Sequence, residues 1–135
     1  MRTVVFDTQA LLVFYLGEAG SDRVESYLER ISEGEVKGYL NVVNLAELHH
    51  ILRRTSRNVA EEKERNLRSF GIRIVPVVDN SPLWREAAAI KADNALSLAD
   101  AFAASTALLR KGILVTGSDI EFEDVKDLKL ERVSD

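Results

Sequence analysis

Four acidic side chains stand where the sequence changes between a strand pattern and a helix pattern, and they are the residues best suited to chemistry. They are Asp7, Glu47, Asp100 and Asp119. Carboxylates that gather at one place repel one another strongly unless a positive charge lies between them. If the fold brings these four together, the site needs a cation.

Asp100 lies in the most informative stretch, SLADAF at residues 97–102. A serine three residues ahead of an acid is typical of a helix start, because the hydroxyl accepts from an early backbone N–H and the acid can reach back to the cap. The alanines that follow at helical spacing allow close approach to a sheet. We therefore predict a helix from Ser97 to Leu109 that holds Asp100 near the centre of the protein.

The elements that must position the acids follow from hydrophobic patterns and cap residues along the chain. Strands are predicted at residues 2–6, 37–43, 72–78, 113–116 and 128–133, the last as a half-exposed edge strand. Helices are predicted to begin at Thr8, at the cap pairs Asp22–Glu25, Asn44–Glu47 and Asn58–Glu61, at Ser81–Pro82 and at Ser97. This alternation predicts one domain over residues 1–135, an α/β fold with a parallel sheet between two layers of helices.

The predicted topology places the four acids at one edge of the sheet. Asp7 follows the first strand, Glu47 begins the helix after the second, Asp100 begins the helix before the fourth, and Asp119 follows the fourth. In open parallel sheets the functional crevice lies outside the carboxyl ends of the strands. Each acid also has a simpler explanation, as a helix cap or a turn residue, but caps and turns do not explain why four acids meet at one edge.

A divalent cation is the economical partner for this set of acids. The nearest basic residues, Arg110 and Lys111, stand at the far end of the helix that Asp100 begins. An all-oxygen ligand set suits Mg²⁺ or Mn²⁺ better than zinc. Such a metal activates water and neutralises charge on a leaving oxygen, which points to phosphodiester hydrolysis.

Composition limits the remaining possibilities. The 135 residues carry a formal net charge of −4 and no cysteine, which excludes disulfides, thiolate zinc sites and cysteine nucleophiles. An acidic chain argues against broad electrostatic coating of nucleic acid, although a metal-dependent nuclease stays compatible with it. No apolar run approaches a membrane span and no signal peptide is evident, so we expect no membrane partner and a cytoplasmic location.

Four short segments resemble, in order and spacing, the PIN-domain ribonucleases, and among them the VapC-type toxins of VapBC toxin–antitoxin pairs. They are VVFDT around Asp7, NLAEL around Glu47, SLADAF around Asp100 and LVTGSD ending at Asp119. The resemblance implies a metal-dependent endoribonuclease with a five-stranded parallel sheet. It also implies a homodimer that a cognate antitoxin neutralises by inserting a segment into or near the active-site groove.

The resemblance also implies roles for individual residues. Asp7, Glu47 and Asp100 match the metal-binding positions and Asp119 the fourth acidic position, with Glu121 as the competitor because family members vary in where this last acid falls. Five polar residues match positions that support the acids or the scissile phosphate: Thr8, Asn44, Ser97, Thr116 and Ser118.

A short basic group follows the third predicted helix. Arg53, Arg54 and Arg57 could be a solvated face, as most charge runs are. Their position directly after the helix of Glu47 also makes them candidates for contact with an RNA backbone or with acidic antitoxin residues.

Two other functions are compatible with the pattern. A phosphatase or phosphotransfer domain also places an aspartate after its first strand, with Asp7 as nucleophile, but normally has a second aspartate two residues later, where Gln9 stands here. A binding module of the same fold could also keep its metal site idle, although such a site would be expected to lose one of its acids.

Overall fold

A computed structural model of the chain describes residues 2–117 and 121–134. Five strands form one sheet in the order β3-β2-β1-β4-β5, and every neighbouring pair is parallel. The strands are β1 (Arg2–Phe6), β2 (Val36–Asn41), β3 (Arg73–Val75), β4 (Ile113–Thr116) and β5 (Lys129–Arg132). The helices are α1 (Thr8–Leu16), α2 (Ser21–Ser32), α3 (Val42–Arg53), α4 (Arg57–Ser69), α5 (Pro82–Asp93) and α6 (Leu98–Arg110).

The sheet separates two hydrophobic cores, because successive side chains of a strand point to opposite faces. Val4 and Phe6 pack with the buried faces of α1 to α4, whereas Val5 packs with those of α5 and α6. Helices thus cover both faces of a parallel five-stranded sheet, which confirms the predicted three-layer fold.

Helix α6 has six buried residues, more than any other helix in the part of the chain that the structure describes. Its alanines at positions 103, 104 and 107 are fully buried against the sheet and α5, as their small side chains predict. Ser97 is the N-cap, and its Oγ accepts from the backbone N–H of Asp100 at 3.1 Å. The predicted start of this helix is confirmed, as is that of α5 at Ser81 with Pro82 in the first turn.

Three predicted helix starts are wrong, and in each the chain begins the helix in a different way. Helix α2 begins after Gly20 without a side-chain cap, so Asp22 and Glu25 form no capping box there. Helix α4 is capped by Ser56, not by Asn58. Helix α3 is capped by Asn41, whose Oδ1 accepts from Val43 N at 2.8 Å, so that Asn44 lies inside the first turn.

Three predicted strands are longer than the structure shows. Residues 42 and 43 belong to α3, because the cap at Asn41 outweighs the β-propensity of two valines. Strand β3 spans only Arg73–Val75 and β5 only Lys129–Arg132, both at sheet edges. In the described ranges, no helix has the length and apolar composition needed to cross a membrane.

The edge strand β5 is tied to helix α2 through a buried phenol. Tyr27 donates from its hydroxyl to Glu131 Oε1 at 2.5 Å. Burial and this hydrogen bond raise the pKa of Tyr27 to about 12. The phenol therefore stays protonated at neutral pH and remains the donor in this contact.

Two glycines in the α1–α2 turn allow a test of how closely this turn packs against the C-terminal segment. Gly17 and Gly20 both have left-handed backbones, with φ of 66° and 101°. An alanine Cβ at 17 meets open space, but at 20 it overlaps the backbone carbonyl of Val133. We predict that Gly17→Ala lowers the free energy of unfolding by about 1 kcal/mol, the cost of left-handed backbone. Gly20→Ala should cost about 1–3 kcal/mol more through overpacking.

Urea denaturation of the two variants measures this difference directly. Gly17→Ala serves as the control, because it carries the backbone strain without the steric overlap. Equal losses of stability in the two variants would contradict the close approach of Gly20 to the C-terminal segment.

Candidate active site

Three of the four predicted acids stand on elements that begin or end toward the carboxyl edge of the sheet. Asp7 directly follows β1, and α3, which carries Glu47, begins directly after β2. Only two residues separate α6 from β4, so α6 ends at the amino edge of the sheet and its first turn, with Asp100, lies toward the carboxyl edge. This edge is where parallel α/β sheets bind their ligands.

The carboxylate of Asp7 is buried, with the residue 1% exposed, and it is held from two sides. Oδ1 accepts from the backbone N–H of Ala10 at 2.8 Å, which makes Asp7 the N-cap of α1, and Oδ2 accepts from the hydroxyl of Thr116 at 2.5 Å. The predicted cap role of Asp7 is thus present. A carboxylate offers about four lone-pair sites, so these two bonds orient the group and do not by themselves exhaust its acceptor capacity.

Asn44 joins the starts of three helices. It is fully buried, and its Nδ2 donates to Thr8 Oγ1 at 3.3 Å and to the carbonyl oxygen of Ala99 at 3.1 Å. Thr8 follows Asp7 and Ala99 precedes Asp100, so one amide nitrogen connects the segments of both acids. Glu47 lies three residues after Asn44, on the same side of α3.

Asp100 and Glu47 differ from Asp7 in their exposure, since both are half-buried. Asp100 is the third residue of α6, and the Oγ of Ser97 caps its backbone N–H. Glu47 is the sixth residue of α3, beyond the reach of a capping box with Asn41. Asp7 is thus a helix cap, and Asp100 has the spacing from Ser97 that a capping box requires. The prediction that Glu47 belongs to a capping box is wrong.

Beyond β4, the predicted site continues into residues that the structure does not cover. Ser118 and Asp119 lie outside the described residues, whereas Glu121 is described and exposed. The choice between Asp119 and Glu121 as the fourth acid therefore stays a prediction.

The donor chemistry of this edge fits a hard divalent cation. The acids present only oxygen, which is the ligand type that Mg²⁺ and Mn²⁺ prefer. Among residues 2–117 and 121–134, the buried Oδ1 of Asn44 has no hydrogen-bond partner, so one acceptor between the segments of Asp7 and Asp100 is unused there. Within residues 2–117 and 121–134, no three acidic or histidine side chains stand close enough to hold a metal ion on their own.

The predicted basic group lies at the far end of α3 and the start of α4. Arg53 and Arg54 are exposed, and Arg57 Nε donates to Glu61 Oε1 at 2.9 Å. This hydrogen bond from Arg57 lowers the pKa of Glu61, and it partly offsets the charge of Arg57. Arg53 and Arg54 stand outside this hydrogen bond.

An open groove of about 410 Å³ runs along the outward face of α3. Val42 and Leu45 line its first part, and His49 and Arg53 line its second part. His49 Nε2 lies 3.8 Å from Glu64 Oε1 of α4. This contact between two helices agrees with a surface role for the histidine.

Sequence reasoning missed three residues that shape this edge. Asn41 caps α3 and donates from Nδ2 to Thr106 Oγ1 at 3.0 Å, and Gln9 packs directly on Gly117. Asn41 has a detectable signal, since it is a cap-type residue followed three positions later by the similar Asn44. Nothing in the sequence signals the contact between Gln9 and Gly117, because the two residues stand near opposite ends of the chain.

The contact between Gln9 and Gly117 predicts a coupled stability effect. An alanine Cβ at 117 would lie 2.7 Å from Gln9 Cδ and 2.8 Å from Gln9 Cγ. We predict that Gly117→Ala lowers the free energy of unfolding by about 1–3 kcal/mol, because the glutamine must shift in a packed site. In a Gln9→Ala background the same change should cost less than about 0.5 kcal/mol.

A double-mutant cycle by chemical denaturation measures this coupling. Gln9→Ala alone is the control. An unchanged cost of Gly117→Ala in the two backgrounds would show that the two residues are not in contact.

Comparison with known proteins identifies the family and supports the fold. Residues 4–128 match the PIN domain family. No curated protein sequence matches the chain. Many solved structures share its fold.

Three of these structures illustrate the similarity. VapBC2 from Rickettsia felis, bound to a DNA fragment from its promoter, aligns with a TM-score of 0.76 and 17% identity over 96% of this chain and 98% of that chain. DNA-bound VapBC from Salmonella typhimurium aligns with a TM-score of 0.75 and 14% identity over 98% and 99%. FitAcB from Neisseria gonorrhoeae aligns with a TM-score of 0.71 and 22% identity over 96% and 97%.

At these identities the structural likeness establishes the fold, and the match over residues 4–128 establishes the family. The family resemblance predicted from the four acidic segments is confirmed. The chain belongs to the PIN domain family.

Proposed function

We propose that this protein is a metal-dependent endoribonuclease that hydrolyses RNA phosphodiester bonds. The observation that carries the proposal is the amide bridge of Asn44, which connects the segments of Asp7 and Asp100 at the carboxyl edge of the sheet. Membership of the PIN family, which implies a nuclease, supports the same function.

The residues that would hold Mg²⁺ or Mn²⁺ are the acids predicted for the carboxyl edge of the sheet. They are Asp7, Glu47, Asp100 and Asp119, with Glu121 as the alternative fourth acid. When bound, the cation supplies Lewis acidity that activates water and neutralises the charge on the leaving oxygen. Mg²⁺ is usually held by one or two carboxylates together with substrate phosphates, so a closed cage of protein ligands is not required.

The chain's own residues orient these acids. Ala10 N–H and the Thr116 hydroxyl each donate to one oxygen of Asp7, and together they fix the orientation of its carboxylate. Ser97 fixes the first turn of α6 and thereby the backbone from which Asp100 projects. The supporting roles of Thr8, Asn44, Thr116 and Ser118 belong to this proposal.

We further propose that the protein is the toxin of a type II toxin–antitoxin pair. The solved structures that share its fold include VapBC from Salmonella typhimurium and a toxin–antitoxin complex from Klebsiella pneumoniae, which covers 96% of this chain. A cognate antitoxin, a homodimer and a cytoplasmic location are parts of this proposal. The exposed Arg53 and Arg54 are candidates for contact with RNA or with acidic antitoxin residues.

The residue two positions after Asp7 disfavours the phosphotransfer alternative. Such domains normally have a second aspartate there, whereas this chain has Gln9. The idle-module alternative is disfavoured because Asp7, Glu47 and Asp100 are all retained at the edge.

Asp100→Asn tests the proposed chemistry. We predict that cleavage of single-stranded RNA with Mg²⁺ or Mn²⁺ falls by more than about 100-fold, beyond the 10–100-fold typical of losing a residue that only supports a metal ligand. The free energy of unfolding should change by less than about 1 kcal/mol, since the Ser97 cap bonds to the backbone of residue 100.

Asp22→Asn is the matched control, because Asp22 also lies in the first turn of a helix but is exposed on α2. It should leave cleavage unchanged. Full metal-dependent cleavage by Asp100→Asn would exclude the proposed role, and unfolding of that variant would show that Asp100 only supports the helix.

The two exposed arginines predict a change in the salt dependence of RNA binding. We expect Arg53→Ala with Arg54→Ala, on an uncleaving Asp100→Asn background, to make the slope of log K against log salt shallower. For single strands the slope changes by about 0.7 for each phosphate that the protein no longer neutralises. Fluorescence anisotropy with labelled RNA over a range of salt concentrations measures it.

Lys37→Ala with Arg73→Ala is the control pair. It removes the same charge from the opposite, amino-terminal part of β2 and β3, where both side chains are exposed. Equal slopes in the two double variants would assign Arg53 and Arg54 to a role other than RNA binding.

A further inference from the structure

Two buried amide–hydroxyl contacts tie α3 to the rest of the fold. In one, Asn44 Nδ2 donates to Thr8 Oγ1 at 3.3 Å, and in the other, Asn41 Nδ2 donates to Thr106 Oγ1 at 3.0 Å. All four residues are at most 4% exposed. The contacts share their chemistry, but Thr8 is adjacent to Asp7, whereas Thr106 lies in α6 more than a helical turn beyond Asp100.

The direction of each hydrogen bond around Asn44 is set by its partners. The carbonyl oxygen of Ala99 can only accept, so the Nδ2 side of the amide must face it. The Thr8 hydroxyl donates to the backbone carbonyl of Asn44 at 3.4 Å and therefore accepts from Nδ2. Both amide hydrogens are thus used, and the fully buried Oδ1 is left as an acceptor without a partner among the residues that the structure describes.

We propose that Thr8 and Asn44 are positioning residues that set the separation of the Asp7 and Asp100 carboxylates for cation binding. The inference rests on the proposed metal-dependent function and specifies how the site is held in shape. A single nitrogen atom of Asn44 lies 3.3 Å from the hydroxyl of the residue after Asp7 and 3.1 Å from the carbonyl of the residue before Asp100. One side-chain amide therefore links the backbone segments that carry the two acids.

A change in the separation of the two segments should weaken cation binding, because metal–oxygen distances vary over only a narrow range. Mg²⁺ demands near-ideal octahedral geometry at about 2.0–2.1 Å. Losing the Thr8 hydroxyl would leave one buried amide hydrogen of Asn44 unpaired and free the start of α1 to shift relative to α6. The Asn41–Thr106 contact would still hold α3 against α6, so the fold should persist.

Thr8→Val and Thr106→Val form a matched pair for testing this role. Each replaces a buried hydroxyl by a methyl group and leaves one asparagine hydrogen unpaired. The test measures Mn²⁺ affinity of the RNA-free protein by calorimetry, together with the thermal midpoint of each variant. We expect Thr8→Val to weaken Mn²⁺ binding by about 10-fold, within the range for residues that orient metal ligands.

Thr106→Val should keep Mn²⁺ affinity close to that of the wild type, while it lowers the thermal midpoint about as much as Thr8→Val does. Thr8→Ser keeps the hydroxyl and should restore Mn²⁺ affinity. Asn44→Leu removes both links at once and should weaken binding further. If Asn44→Leu does not fold, the three threonine variants decide the question.

Equal Mn²⁺ affinities of Thr8→Val and Thr106→Val would overturn the positioning role. If the wild type binds Mn²⁺ and cleaves RNA in that case, the proposed function stands and only this inference fails. A wild type that binds no Mn²⁺ would overturn the metal-dependent function and this inference together.

Discussion

The buried carboxylate of Asp7 is the constraint on which the rest of this edge depends. An ionised carboxylate taken out of water costs several kcal/mol unless donors replace the lost hydration. Here the donors come from two places that the chain must bring together: the first turn of α1, through Ala10 N–H, and the end of β4, through Thr116. Because β1 and β4 are neighbours in the sheet, satisfying Asp7 fixes the end of β4 beside the start of α1.

The same edge explains why buried polar residues accumulate at the start of α3. Parallel strands end together there, so three helix starts converge where an all-apolar core would leave backbone groups unsatisfied. Asn41 and Asn44 resolve this by bonding to α6, and Asn44 also bonds to Thr8 of α1. A small polar network that is nearly fully satisfied gives the edge a defined geometry, and the unpaired Oδ1 of Asn44 marks the point where it remains incomplete.

Local sequence chemistry predicted most of the fold and part of the site. The starts of α5 and α6 were predictable because Ser81 and Ser97 sit beside the residues they cap. The start of α3 was predicted three residues too late, since Val42 and Val43 have strong β-propensity and Asn41 and Asn44 are both cap-type residues. The bond from Asn41 to Thr106 in α6 adds a distant contact that local pattern does not show. Asn44 was predicted as a cap because its residue type is typical of one. The partners of its side-chain amide are instead Thr8 and Ala99, which lie 36 and 55 positions away in the chain.

The positive ends of helix dipoles also reduce the electrostatic need of the predicted acids for a cation. Asp7 caps α1 and Asp100 lies in the first turn of α6, so both meet the positive end of a helix dipole, which contributes about 0.3–1 kcal/mol each and up to about 2 when partly buried. Two carboxylates about 4 Å apart at an effective dielectric of about 20 repel by about 4 kcal/mol, so two helix ends at their upper limit offset one close approach of such a pair. Among the described residues no three acids stand close enough to hold a metal ion on their own, so the edge does not yet carry the repulsions of a full ligand set. A divalent cation that draws Asp7, Asp100 and a further acid together would therefore have to supply the remaining compensation itself.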